Sequence, residues 1–297
     1  MKSLKGIGLL LVANILIMVT LSITVPIVIN VILPMFGIDV RGSVDLTSLV
    51  WALMFGFGGA FISLAFSKQM ARAMLDCYQI TQPRTHAEQL IYSSVQEIAN
   101  RLRISMPEVW IYESPDPNAF ATGPSKNNSM VAVSTGLLNN LRENEVKAVL
   151  AHEMGHVFNG DMFATTVLAG LMNTFVYFIA MWVRRFFADR DQAAMGFMLS
   201  IVLQIVVSIL ASIVISWFSR HREFGADAFS AKVYGKDSMI GALRSIDGWV
   251  SRNELPAPTQ DALATMKISG RTGGFMALFA THPPIEARIA ALQALRA

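Results

Sequence analysis

Three residues, His152, Glu153 and His156, have the types and spacing to do chemistry. The stretch Ala151-His152-Glu153-Met154-Gly155-His156 has the form H-E-x-x-H. On a helix the two histidines stand one turn apart on one face, so both imidazoles reach a single metal ion. Glu153 sits beside them, placed to hold a water as general base. Zinc suits this donor set, one ion per chain, but two histidines do not complete a site. Catalytic zinc takes three protein ligands and keeps one position for water. The single cysteine, Cys77, excludes a cysteine-based zinc site and any intrachain disulfide. It follows an apolar segment and is read as an inert small residue.

The third ligand is sought where acidic residues return to the motif. Met162 to Val183 and Phe197 to Phe218 are uncharged runs, each long enough to cross a bilayer. After the second comes Ser219-Arg220-His221-Arg222-Glu223-Phe224-Gly225-Ala226-Asp227. His156 and Val183 are 27 residues apart, and Phe197 and Glu223 are 26 apart. As continuous helices both legs are ~40 Å long. An antiparallel hairpin of equal arms then returns Glu223 to the height of His156, which makes Glu223 the candidate ligand. A kink at Gly160 or Gly170 loosens that fit. Asp227, one turn beyond Glu223, is placed to accept the free N–H of a liganding histidine and fix its tautomer. The alternative for both carboxylates is an ordinary juxtamembrane charge. His221 and Arg222 are candidates for stabilising an oxyanion in the transition state, or else interfacial basic residues. His282 is an alternative ligand or pocket residue, or, before Pro283-Pro284, a packing and capping feature.

The elements that must hold these residues include membrane spans. The chain is 53% hydrophobic and only 15% charged, against about 25% charged in a soluble domain. After Lys5 no charge appears until Asp39, and Leu46 to Phe66 is a second apolar run. The first run is too long for a signal peptide and is read as a retained span. Gly56, Gly58 and Gly59 suit close helix packing in the second. Four transmembrane helices result, as two hairpins. Lys and Arg concentrate in 68–161, with eight, and after Phe218, with ten, whereas the intervening loops hold one and three. The rich segments belong in the cytosol, though Arg184-Arg185 opposes this weakly. The net charge of +3 is spread along the chain, and no basic stripe argues for nucleic acid. The spans carry no charges, against an ion pathway.

The remainder is globular in character. Leu90, Ile91, Val95, Ile98 and Leu102 predict an amphipathic helix over His86 to Leu102, with His86 a surface residue at its start. Pro107 to Tyr112 and Met130 to Val133 predict strands. Between them, Asp116 to Gly123 is turn chemistry followed by small residues. Asn118, Ala119 and Phe120 either belong to an edge strand that pairs with an extended substrate or to a structural hairpin. Glu143 and Glu145 open the motif helix at its positive end, and Val146, Val149 and Leu150 supply its buried face. Asp237 caps a helix carrying Met239, Ile240, Leu243, Ile246 and Val250. A Pro-containing connection follows Asn253, then a Gly-rich turn at Gly270 to Gly274 and a last helix, Ile285 to Leu295. The domain boundaries are 1–67, 68–161, 162–218 and 219–297: membrane hairpins alternating with the halves of one protease domain.

Taken together, Asn118 to Gly123, Ala151 to His156, Asn159-Gly160-Asp161, Ser219 to Asp227 and Thr281-His282-Pro283-Pro284 resemble the HtpX-type membrane zinc metalloproteases. These stand in the same broad group as the Ste24-type prenyl-protein proteases. The resemblance covers nearly the whole chain. It implies a mainly α membrane protein with a cytosolic, gluzincin-like α+β protease domain carrying a small sheet. It also implies zinc on His152, His156 and Glu223, with Glu153 catalytic. The expected setting is a bacterial inner membrane. The expected partners are the bilayer and damaged membrane-protein or unfolded-protein substrates. Self-cleavage is a further expectation, since the site sits beside loops. Gly225 stands where a larger polar residue is expected in some relatives, and four spans differ from the seven of the Ste24-type chamber. A scaffold using zinc structurally is the competing class, but such a site has no need of Glu153.

Overall fold

The structure is a computed structural model that describes residues 46–253 and 280–295, with Ile27, Val31, Leu33–Met35 and Leu278 besides. The first predicted span (apart from a helical turn at Leu33–Met35), the loop at 39–45, the connection after Asn253 and the Gly270 to Gly274 turn lie outside the described residues. In chain order the first elements are α1 (Leu46–Ala65), α2 (Ser67–Met74), β1 (Cys77–Gln79), α3 (His86–Leu102), β2 (Glu108–Tyr112), β3 (Ala119–Ser125) and β4 (Asn128–Ser134). Then come α4 (Thr135–Asn140), α5 (Glu143–Asn159), α6 (Asp161–Ala188), α7 (Ala193–Tyr234), α8 (Lys236–Asn253) and α9 (Ile285–Ala294). By contact the chain forms two compact units: Met1–Ile62 with Thr166–Ser212, and Ser63–Thr165 with Ile213–Ala297.

In the first unit α1 packs on α6 through Leu49, Ala52, Phe57 and Phe178. Gly56 is the close approach, since a Cβ there would lie 2.3 Å from the Thr174 Oγ1. Among the described residues, nothing lies within 4 Å of a Cβ placed at Gly58 or Gly59. Among the described residues three helices, α1, α6 and α7, are long and apolar enough to cross a membrane. The loop expected over 184–196 is shorter, because α6 runs through Arg184 and Arg185 to Ala188. Cations suit the last turn of a helix, and the Arg184 guanidinium also lies 4.9 Å from the Phe197 ring centroid. The chain then turns at Asp191, with φ of 56°. α7 does not end at Phe218, where the apolar run stops, but runs unbroken through Glu223 to Tyr234.

The second unit is built on a mixed sheet of order β1-β2-β4-β3. β2 and β4 are parallel, pairing Glu108 with Met130 and Tyr112 with Ser134, and the outer strands are antiparallel to their neighbours. Ile91, Val95 and Ile98 of α3, Val109 and Ile111 of β2, Val131 and Val133 of β4, and Val149, Leu150 and Met154 of α5 form one buried core. α3 spans the predicted residues because Thr85 and Glu88 close a capping box at its start. α8 and α9 add a second cluster through Ala148, Met239, Leu243 and Leu292. Neither α2 nor β1 was expected. β1 is three residues long and exists through pairing with Tyr112, Ile111 and Trp110, which leaves no local signal.

Candidate metal centre

Three elements bring the functional side chains together. α5 presents His152, Glu153 and His156 on its buried side, and Leu150 and Met154 anchor that helix in the core. α5 stops at Asn159 because Gly160 takes the left-handed conformation, φ 72°. The predicted continuous leg is therefore interrupted there, and Asp161 begins α6. α7 supplies Glu223 and Asp227 from adjacent turns. Its approach depends on Gly155, where a Cβ would meet the Phe229 ring at 3.2 Å and the Ala226 Cα at 3.3 Å. α9 supplies Arg288, and the turn before it supplies His282.

The histidine tautomers follow from their partners. His152 Nδ1 is 2.9 Å from Asp227 Oδ1, and His156 Nδ1 is 2.7 Å from Asp161 Oδ2. With each Nδ1 donating to a carboxylate, the lone pair of each neutral ring sits on Nε2. Those two Nε2 atoms face each other at 3.2 Å. The Glu223 carboxylate faces both, with Oε1 at 3.2 Å from His156 Nε2 and Oε2 at 3.4 Å from His152 Nε2. Lone pairs converging like this repel unless a cation lies among them.

The residues fit a tetrahedral metal ion. Donors at ~2.05 Å from a tetrahedral zinc stand ~3.3 Å apart; the two Nε2 atoms are 3.2 Å apart, each faces a different oxygen of Glu223 at 3.2 or 3.4 Å, and with one ligand atom taken from each residue the three lie within 4.8 Å of one another. Charge agrees. Glu153, Asp161, Glu223 and Asp227 bring four negative charges, and Arg222 and Arg288 bring two positive ones. A divalent cation closes the difference while both imidazoles stay neutral. Burial by itself pushes His152 and His156 down, but Glu223 and Asp227 for His152, and Glu223 and Glu153 for His156, outweigh it and drive both upward. The pocket asks for positive charge. Among the described residues, buried Glu223 Oε2, His282 Nδ1 and Arg288 Nη1 also find no aligned hydrogen-bond partner. Burial pushes the Glu153 carboxyl up, against the pull of both histidines, toward the range where a base can return its proton.

His282, expected mainly to pack and cap, instead reaches the cluster, with Nδ1 2.8 Å from Glu223 Oε2. Arg222 pairs with Asp161, so its guanidinium backs the carboxylate that holds His156. His221 lies elsewhere: it is exposed, bonds through Nδ1 to the Trp217 carbonyl and meets that indole in a tilted ring contact, centroids 4.3 Å apart. Asn118, Ala119 and Phe120 are buried. Asn118 donates through Nδ2 to Tyr112 Oη at 2.9 Å, and its backbone N–H donates to Ser134 Oγ at 2.9 Å. Their strand, β3, is both one arm of a hairpin with β4 and an edge of the sheet, so the two readings are compatible. A Cβ at Gly225 would meet nothing within 4 Å among the described residues. His86 is on the surface, 79% exposed.

The sequence reading missed Arg288 and gave Asp161 no role. Arg288 is fully buried and grips Asp227 with two hydrogen bonds, Nε to Oδ2 at 2.8 Å and Nη2 to Oδ1 at 2.7 Å. Its Nη1 lies 3.3 Å from Glu223 Oε2. The signal available was an arginine in a short helix otherwise made of Ala, Ile, Leu, Glu and Gln. Asp161 was visible as the first acid after the motif, separated from it by a helix-ending glycine.

Comparison with known proteins places these residues among relatives. Residues 85–296 match the profile of peptidase family M48. The protease HtpX of Pasteurella multocida is 46% identical over 286 residues, covering 95% of this chain and 98% of the relative. That of Thioalkalivibrio sulfidiphilus is 44% identical over 301 residues, covering 99% of this chain and the whole relative. The crystal structure of S. mikatae Ste24p superposes with a TM-score of 0.62 at 18% identity, over 94% of this chain and 66% of that one. At that identity the likeness is one of fold.

Proposed function

The chain belongs to peptidase family M48, as a membrane metallopeptidase of the HtpX type, and from that premise we propose a zinc-dependent endopeptidase that cleaves damaged or misfolded membrane proteins. The observation that carries this is the convergence of His152 Nε2, His156 Nε2 and the Glu223 carboxylate on one point, with buried Glu153 next in sequence to the first of them. Zinc bound there supplies Lewis acidity, which lowers the pKa of a water and polarises the scissile carbonyl. Glu153 takes the water's proton on its carboxylate and hands it to the leaving amine nitrogen. Asp227 and Asp161 hold the two imidazoles with Nε2 turned inward. Arg288 and Arg222 hold those aspartates in turn. His282 is the cluster's remaining donor, placed to meet negative charge developing on a substrate oxygen. The outer edge of β3 offers main-chain groups to an extended substrate, in keeping with its packing on α5.

The concentration of Lys and Arg in the segments that build the second unit supports a site facing the cytosol, in a bacterial inner membrane. Neighbouring chain segments make self-cleavage an accessible side reaction. Replacing Glu153→Gln tests the mechanism in detergent-purified protein. Metal content by elemental analysis should stay at one zinc per chain while casein cleavage disappears. Cleavage at the wild-type rate by that variant would overturn the assignment. Zinc retained at full occupancy in Glu223→Ala would remove Glu223 from the ligand set.

A further inference from the structure

Helix α2 turns its charges inward and its apolar side chains outward, the reverse of a helix that faces water. Lys68 Nζ lies 2.9 Å from Glu108 Oε1. Arg72 pairs with the other oxygen of that carboxylate and lies over the Trp110 ring. Ala71 is buried in a cluster with Tyr112, Phe120, Met130 and Ala132 of the sheet. The outward side carries Phe66, Met70 and Met74, four residues apart and exposed by 55%, 49% and 49%. The other exposed positions in this stretch, Gln69 and Ala73, are uncharged.

The chain says what covers this face. α1 holds a candidate span, Ser48–Ala65, of 18 residues, about 27 Å of helix against a hydrocarbon core of ~30 Å. Phe66 alone joins α1 to α2, and one residue advances the chain by at most ~3.6 Å. α2 therefore begins where the span leaves the hydrocarbon. Glu108 pairs with both Lys68 and Arg72 from the protein side, so both cations point away from the outer face, and the one net positive charge of the cluster suits the headgroup level of an anionic membrane surface. A second copy of the chain fits poorly. Three half-exposed side chains offer on the order of 300 Å², well short of the ~800 Å² per partner of a stable protein interface.

We propose that α2 is an interfacial helix whose Phe66, Met70 and Met74 lie in the headgroup–acyl boundary of the bilayer, so that the sheet carrying the edge strand β3 is held at the membrane surface. Ala71 and Phe120, in one buried cluster, connect the lipid-facing helix to that strand. Glu108 is the residue that makes the orientation possible.

The test uses the full chain in phosphatidylethanolamine–phosphatidylglycerol liposomes. In a Cys77→Ser background, single cysteines are introduced as Met70→Cys, Met74→Cys and, as a water-facing control on α3, Gln96→Cys, and labelled with an environment-sensitive fluorophore. Labels at 70 and 74 should be quenched by lipids brominated near the headgroup and several-fold less by aqueous iodide than the label at 96. Iodide quenching equal to that at 96 would overturn the proposal. So would disulfide cross-linking between copies at position 70 without lipid quenching, which would assign the face to a dimer. This readout is independent of the peptidase chemistry. As a second arm, Met70→Glu with Met74→Glu should cleave casein in detergent at the wild-type rate but lose several-fold in cleaving a membrane-embedded substrate in liposomes. Equal rates in liposomes would sink it.

Discussion

Arg288→Met removes the fully buried guanidinium of the metal pocket. Asp227 then loses both of its hydrogen bonds from the guanidinium, and Glu223 loses the charge 3.3 Å from Oε2. With zinc present, the pocket's charges no longer close and one negative charge stays uncompensated. Breaking a buried pair from one side costs about 3–5 kcal/mol, a fall of roughly 6–20 °C in Tm for a domain of this size. The assay is thermal unfolding of zinc-loaded protein in detergent, followed by tryptophan fluorescence. Asp227→Asn in the same background restores the charge balance. The double variant should therefore recover at least ~2 kcal/mol relative to the sum of the single losses. Arg288→Lys keeps the charge but not the two-pronged grip, and should fall between wild type and Met. Simple additivity of the two single variants, or a Tm for Arg288→Met within ~2 °C of wild type, would refute the reasoning that Arg288 acts through Asp227.

Asp161→Ala frees the His156 ring and should weaken zinc binding by about 10–100-fold, read by competition with a chromogenic chelator; unchanged affinity would show that Gly160 and the helix alone orient His156. Burial raises the Glu108 carboxyl, but hydrogen bonds from Lys68, Trp110 and Arg72 outweigh it and leave it below the usual value. Its contribution to stability is therefore present above the ordinary carboxylate range and lost as pH falls through its lowered folded value. The difference in Tm between wild type and Glu108→Gln should shrink as the pH is taken from 6 to 3, and a difference that stays constant would contradict the pairing. Gly155→Val drives a branched side chain into Ala226 and Phe229, and overpacking of about 1–3 kcal/mol should come with loss of zinc, because the same contact sets the distance from Glu223 to the histidines. Elemental analysis of the purified variant decides it.

The parts of this site that could be read from sequence are those specified over a few residues. H-E-x-x-H offers two candidate ligands and a candidate base because helical spacing alone puts the two histidines on one face. His86 to Leu102 declares its helix through Thr85, Glu88 and a row of apolar side chains. Even Glu223 was reachable, by the length of two apolar runs, although the leg assumed continuous breaks at Gly160; the helix restarts at Asp161, and the site still closes because Asp161 is itself a partner of His156. Arg288 had no such route. It lies 61 residues from Asp227, on a helix whose composition marks it as ordinary core. A buried arginine is stable only beside carboxylates, but which carboxylates is decided by how α9 meets α7. The same holds for α2, whose Lys68 and Arg72 read as water-facing charges until β2 brings Glu108 beneath them. In both places a charge takes its role from a partner on another element: Arg288 from Asp227 and Glu223 on α7, and Lys68 and Arg72 of α2 from Glu108 on β2.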